Sequence, residues 1–129
     1  MTTRRYTLSK EERLSWKRYI DLLFEKGQSF MAFPLRVVYL PVEEKMAAPV
    51  AMMVSVPKKK FKRAVKRNLI KRQVREAYRV RKYELIDPLT ESGMGMLIAF
   101  LYIDKGIHPF ATIEKAMTKA IRLLSEKKE

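Results

Sequence analysis

The amino-acid sequence predicts a small α/β (α+β) protein, a two-layer sandwich in which helices pack on a four-stranded sheet. Two observations indicate this class. Three segments carry apolar residues at helical spacing, and four short apolar runs of strand length alternate with them. The resulting order is α-β-β-β-α-β-α. Because 129 residues suffice for one modest core, we expect a single domain over residues 1–129.

The first helix is predicted by its end signals. Ser9 followed by Glu12 has the capping-box spacing, and Gly27 is a common helix stop, so we expect one helix between them. This helix would place its larger apolar side chains on one face: Trp16, Ile20, Leu23 and Phe24. We expect Trp16 to pack in the core.

Four apolar runs predict the strands of the sheet. Three of them follow the first helix, at 30–33 (FMAF), 35–42 (LRVVYLPV) and 49–56 (PVAMMVSV). The segment 43–48 (EEKMAA) has a length suited to a hairpin loop between the second and third strands. The fourth run, 95–103 (GMLIAFLYI), is apolar throughout, which indicates a strand covered on both faces.

Two further helices complete the order. The basic segment 62–83 predicts the second helix, and 87–93 (DPLTESG) is expected to be a polar linker broken by Pro88 and Gly93. The third helix opens at 108–110 (HPF) and carries an apolar stripe: Phe110, Ile113, Met117, Ala120 and Leu124. Because the second helix lies between two strands, we expect a parallel crossover, which is normally right-handed.

The basic charge is concentrated in one part of the chain. There are 28 Lys and Arg against 14 Asp and Glu, a net charge of +14. Thirteen of these basic residues lie between Lys58 and Lys82, where Glu76 is the one acidic residue. Helical geometry predicts a polar stripe on one side of this segment, formed by Asn68, Arg72, Arg75 and Arg79. It predicts an apolar stripe on the other side, formed by Ile70, Val74 and Ala77. Glu76 is expected to pair with Arg72 or Lys71.

This row of cations indicates a polyanionic partner. An arginine-rich helix neutralises several phosphates at once and releases their counterions, which favours a nucleic acid. Two alternatives remain at this point, a solvated helix face and an anionic membrane surface. The apolar stripe lacks the bulky side chains that would enter lipid.

The sequence carries no recognisable catalytic or metal-binding constellation. There is no cysteine, and the one histidine, His108, precedes Pro109, where a loop or capping role is expected. The acidic residues are scattered, so we expect no catalytic residue and no metal site on the protein. The longest apolar run has ten residues, against roughly 20 for a membrane span, and no secretory signal is recognisable. We expect a cytoplasmic protein without membrane contact.

The segment 55–78, SVPKKKFKRAVKRNLIKRQVREAY, resembles the signature of the bacterial ribonuclease P protein component. The matching positions are Ser55, Val56, Lys58, Lys59, Ala64, Val65, Arg67, Asn68, Lys71, Arg72, Arg75 and Glu76. Two positions depart from it, because Leu69 stands where Arg is common and Phe61 near where Gly is common. The loop before the helix is also one residue longer than usual.

The resemblance implies a fold and a function. The family fold is similar to the second domain of a small-subunit ribosomal protein and has a left-handed βαβ crossover. The implied function is the protein subunit of ribonuclease P, which assists endonucleolytic removal of the 5′ leader from precursor tRNA. The implied partners are the catalytic RNA and precursor tRNA, with no obligate protein partner. The RNA subunit and Mg²⁺ would carry the chemistry. The alternatives are a structural, ribosome-associated RNA-binding protein and a DNA-compacting basic protein.

The resemblance also implies two binding surfaces. The surface for the RNA subunit would comprise Lys58, Lys59, Arg67, Asn68, Lys71, Arg72, Arg75 and Arg79. The surface for the leader is a cleft between the first helix and the sheet, and it would comprise Ile20, Phe24, Tyr39 and Ser55. Exposed aromatic rings there would stack on unpaired bases. The alternative for Phe24 and Tyr39 is packing in the core. For Trp16, which we expect in the core, the alternative is that it supplements Ile20 in this cleft.

Overall fold

The sheet organises the molecule, and the computed structural model describes residues 6–43 and 48–126 of it. Its strands are β1 (Gln28–Ala32), β2 (Leu35–Val42), β3 (Val50–Ser55) and β4 (Gly95–Tyr102), in the spatial order β1-β2-β4-β3. The β1–β2 and β2–β4 pairs are antiparallel, whereas β3 and β4 are parallel. The predicted parallel crossover is therefore confirmed, and its handedness stays a prediction.

Four α-helices surround this sheet. They are α1 (Lys17–Lys26), α2 (Ala64–Arg79), α3 (Tyr83–Ser92) and α4 (Phe110–Glu126), and a short 3₁₀ turn at Lys10–Glu12 precedes them. The apolar stripe predicted for the last helix is confirmed, since Ile113, Met117, Ala120 and Leu124 are fully buried. The mixed α+β architecture with a four-stranded sheet agrees with the sequence-based prediction.

The core lies on both faces of the sheet. On one face, residues such as Val37, Ile98 and Phe100 pack against α2, α3 and α4. On the other, Leu97 and Ala99 pack with residues of α1 and of the segment before it. Side chains alternate between the faces of a strand, so β4 contributes to both cores and is buried along nearly its whole length. This confirms the interpretation of its uninterrupted apolar run.

The first predicted helix is interrupted. The capping box of Ser9 and Glu12 is present, but it starts only a 3₁₀ turn, after which the chain is extended from Arg13 to Trp16. There the amide of Leu14 donates to the carbonyl oxygen of Met52, 2.8 Å away, at the free edge of β3. The extended conformation buries the Leu14 side chain and provides a hydrogen bond for the free edge of β3. Both gains would be lost if the helix continued through Leu14.

Trp16 does not lie in the core. It occupies the N-cap position of α1, and 65% of its surface is exposed. The prediction of core packing was wrong because it assumed an unbroken helix from Ser9. The extended segment before α1 instead turns the indole outward.

Two predicted loops also differ. The segment 43–48 does not join a hairpin, because β2 and β3 each pair with β4 and not with each other; residues 44–47 lie outside the described residues. The segment 87–93 is no linker, since Pro88 lies inside α3. Leu85 and Leu89 are fully buried on either side of Pro88, and this burial offsets the backbone hydrogen bond that proline cannot donate.

Candidate nucleic-acid interface

Helix α2 has the two faces that its sequence predicts. Ile70, Val74 and Ala77 are fully buried against the core. On the opposite side, Arg72 and Arg75 are exposed, and neither forms a hydrogen bond or an ion pair within residues 6–43 and 48–126. The helix thus stabilises the fold with one face and presents unneutralised guanidinium groups on the other.

The polar stripe of α2 forms one wall of an open groove of about 560 Å³, which we call the basic groove. It is lined by Thr7, Leu8, Arg13, Asn68, Arg72, Arg75, Glu76 and Arg79. The second wall is the N-terminal segment, which contributes Arg13. No local sequence pattern indicates Arg13, because its place opposite α2 depends on a long-range contact. Four arginines in one groove create a strongly positive site suited to phosphate groups.

Arg79 closes one end of the basic groove. Its Nε donates a hydrogen bond of 2.9 Å to Glu76, and a second nitrogen donates to the carbonyl oxygen of Tyr6 at 2.7 Å. The prediction that Glu76 pairs with Arg72 or Lys71 was therefore wrong, since Arg79, three residues further on, takes that carboxylate. The hydrogen bond from Arg79 lowers the pKa of Glu76 below its ordinary value.

The basic loop before α2 is held by Phe61 and Arg67. Phe61 is buried, with its ring 5.8 Å from that of Tyr102. Arg67 donates to the carbonyl oxygens of Phe61 and Lys62, at 2.6 and 3.0 Å. Phe61, which departs from the family signature, therefore anchors this loop in the core. Arg67 shapes the loop through these contacts.

Four other residues of the predicted RNA-subunit surface lie in this loop or on α2. Lys58 and Lys59 are exposed in the loop, and Lys71 is partly exposed on the helix. Asn68 is exposed and lines the basic groove.

Two basic residues after α2 are used inside the protein. Lys82 is 2% exposed and contacts the carboxylate of Glu12, with 2.8 Å between Nζ and the carboxylate oxygen. It also donates to the carbonyl oxygen of Thr7. Arg81 pairs with Glu114 at 3.2 Å. The Lys82–Glu12 pair fastens the N-terminal segment to the junction of α2 and α3, and so positions the second wall of the basic groove.

The opposite face of the sheet carries most of the predicted leader surface. Phe24 is 48% exposed on α1, and Ile20 packs partly buried against the core on that side. Ser55, at the end of β3, is half-buried and pairs in register with Leu101. Met53 lies on the same face of β3, so the sheet part of this surface is mainly aliphatic.

Tyr39 does not belong to this surface. It is 4% exposed and packs in the core under α2, α3 and α4, where its hydroxyl donates to the side chain of Gln28 at 3.0 Å. Its neighbours Val38 and Leu40 point to the α1 side instead. Because successive side chains of a strand point to opposite faces, the assignment of Tyr39 to the cleft beside α1 was wrong.

His108 lies in the loop before α4, where it pairs with Asp104 at 2.5 Å. Its ring also meets the ring of Phe33, with centroids 5.6 Å apart. The hydrogen bond from His108 lowers the pKa of the Asp104 carboxyl. Across residues 6–43 and 48–126, no three His, Cys, Asp or Glu side chains are grouped to hold a metal ion, and no helix is long and apolar enough to cross a membrane.

Comparison with known sequences gives one consistent family. The sequence model of the family described as ribonuclease P matches residues 8–124. A ribonuclease P protein component from Porphyromonas gingivalis is 47% identical over 116 residues, covering 90% of this chain and 85% of the relative. Another, from Picosynechococcus, is 35% identical over 95 residues, covering 74% of this chain and 75% of the relative.

Solved structures share the fold. The RNase P protein from Thermotoga maritima superimposes with a TM-score of 0.66 at 24% identity, over 89% of this chain and 96% of that protein. The Staphylococcus aureus RNase P protein gives a TM-score of 0.66 at 21% identity, over 88% and 95% of the two chains.

Proposed function

Because the chain belongs to the ribonuclease P protein family, we propose that it binds a catalytic RNA through the basic groove and the 5′ leader of precursor tRNA through the face beside α1. It is thereby the protein subunit of an enzyme that processes the 5′ end of tRNA. The groove and the α1 face lie on different sides of the sheet, so both RNA segments can be held at once.

The arrangement of the basic groove is the observation that carries this proposal. Arg13, Arg72 and Arg75 converge there from two segments of the chain, and Arg72 and Arg75 are not neutralised by a carboxylate of the described residues. Packing and internal hydrogen bonds hold both walls in place before any ligand arrives. Such preorganised cations favour a structured polyanion, because binding then costs little ordering of the protein.

The chemistry is assigned to the RNA subunit. The described part of the chain gathers no set of carboxylates or histidines of the kind that holds a metal ion. In this proposal the Mg²⁺ of the holoenzyme would be held mainly by RNA phosphates, and it would supply the activation of water for phosphodiester hydrolysis. The role of this protein is to bind the precursor, to position it and to reduce repulsion between RNA phosphates.

The leader would lie along α1. Phe24 offers an exposed aromatic ring, while Ile20 and the aliphatic side chains of β3 and β4 form an apolar floor. Unpaired bases stack on such surfaces with little sequence preference. Mature tRNA has no leader, so this surface should favour precursor over product.

Reconstitution tests the proposal. The protein is combined with the ribonuclease P RNA of its own source, and removal of the leader is followed at a Mg²⁺ concentration at which the RNA alone is inactive. We expect cleavage at the mature 5′ end only when the protein is present. RNA binding without any gain in cleavage would contradict the proposal and would favour a structural RNA-binding protein.

A further inference from the structure

We propose that Trp16 and Tyr19 form a stacking site for one unpaired nucleobase of the precursor's leader. This inference rests on the proposed function and extends the leader surface beyond Ile20 and Phe24. It assigns a role to the Trp16 indole, which is 65% exposed although the apolar periodicity predicts it in the core.

The two rings form a preassembled platform. Their centroids are 5.5 Å apart and their planes differ by 22°, so they are stacked. Tyr19 is half-buried against the core beside α1, whereas Trp16 is 65% exposed. Tyr19 thus supports the indole from one side and leaves a large aromatic surface open to solvent. A base has a similar shape and would complete the stack.

A cavity of about 330 Å³ adjoins this platform. Its floor is apolar and includes Leu14 and Ala51, and its rim carries Lys10 and Arg13 together with Glu11. An aromatic wall with an apolar floor suits the flat face of a base, and cations at the rim suit the phosphate beside it. An uncharged apolar ligand would gain nothing from those cations.

The position along α1 favours the leader over the catalytic RNA. Trp16, Ile20 and Phe24 are spaced by four residues, so they follow one side of the helix. Trp16 and Phe24 are about 12 Å apart along the axis at 1.5 Å per residue. This distance corresponds to about three to four nucleotides of a stacked strand. The leader is single-stranded, so its bases can stack on the protein without first breaking pairs.

Arg13 connects the two surfaces of the protein. It lines both this cavity and the basic groove, and its backbone lies in the extended segment fixed to β3. The same interruption that separates the 3₁₀ turn from α1 turns Trp16 outward and brings Arg13 beside α2. The break in the helix therefore positions both the aromatic ring and the arginine of the proposed stacking site.

The experiment uses the reconstituted holoenzyme and the fact that Trp16 is the one tryptophan of the chain. We expect its fluorescence to be quenched by precursor tRNA and not by mature tRNA. Precursors with a single abasic nucleotide, moved along the leader, should lose the quenching at one position. That position identifies the base on the platform.

Affinity measurements complete the test. Trp16→Ala should reduce the preference for precursor over mature tRNA by about five- to tenfold, since one stacked base is lost. Trp16→Phe should keep most of that preference. Val80→Ala, which alters another exposed apolar residue, is the matched control and should leave the preference for precursor over mature tRNA unchanged. Binding of the RNA subunit and thermal unfolding should be the same in all variants.

The outcomes separate this inference from the proposed function. If the wild-type holoenzyme does not prefer precursor, the proposed leader surface itself is wrong. If it does and Trp16→Ala keeps the full preference, the stacking site is wrong and the leader surface stands. A variant that binds the RNA subunit less tightly, or that weakens both tRNA forms equally, would overturn the assignment to the leader.

Discussion

The basic segment between Lys58 and Lys82 contains two kinds of cation. Arg72 and Arg75, in the middle of α2, extend into the basic groove without an internal partner among the described residues. Near the ends of the segment, cations are bonded within the protein: Arg67, Arg79, Arg81 and Lys82. The first kind is available to a ligand, and the second builds the surface that presents it. Counting the basic residues in the sequence does not distinguish cations that are free to bind a ligand from cations that are bonded inside the protein.

Lys82→Met should have the largest effect on stability. It leaves the carboxylate of Glu12, itself only 13% exposed, without its cation in a region sheltered from water. Loss of one partner of such a pair costs about 3 kcal/mol of unfolding free energy. Urea denaturation measures this cost. Lys119→Met removes an exposed lysine on α4 and should change the unfolding free energy little.

A double-mutant cycle with Glu12→Gln sharpens this prediction. The double variant Glu12→Gln/Lys82→Met has no unpaired charge, so it should be more stable than the sum of the single effects indicates. Additive effects would show that the two side chains are not coupled, and the structural role given to the Lys82–Glu12 pair would then be wrong.

Arg67→Ala should have an intermediate effect. Two hydrogen bonds to the carbonyl oxygens of Phe61 and Lys62 are lost from a partly buried guanidinium, which should lower the unfolding free energy by about 1–2 kcal/mol. Lys66→Ala removes a neighbouring exposed cation and is the control. Equal unfolding free energies for the two variants would contradict the structural role of Arg67.

Much of this architecture follows from local patterns. The strand at 35–42 has the predicted ends, and the two stripes of α2 lie where helical spacing puts them. These features depend on residues close together in the chain, whose periodicity is visible in the sequence. The resemblance to the family indicates that this polyanion is an RNA, which the charge of the segment alone does not specify.

The misassigned features depend on contacts between distant residues. The helix break before α1 requires the free edge of β3, which bonds Leu14. Alternation places Val37 and Tyr39 on one face of β2, but which face α1 covers is decided by packing of the whole sheet. Pro88 is accommodated because Leu85 and Leu89 are anchored in the core. None of these contacts has a local signature in the sequence.

Arg72→Ala should leave the fold unchanged and weaken RNA binding modestly. The side chain is exposed on α2, so the unfolding free energy should match that of wild type. Affinity for the RNA subunit should fall by about 1 kcal/mol through loss of a charged contact. The slope of log affinity against log salt should decrease by about 1 if one phosphate contact disappears.

Arg122→Ala is the control, because it removes an exposed arginine on α4, outside the basic groove. It should change neither the affinity for the RNA subunit nor the salt slope. If Arg122→Ala reduced the slope as much as Arg72→Ala, the RNA would be responding to net charge, and the distinction between the two kinds of cation would fail. A slope that changes only with Arg72 would place a phosphate in the basic groove.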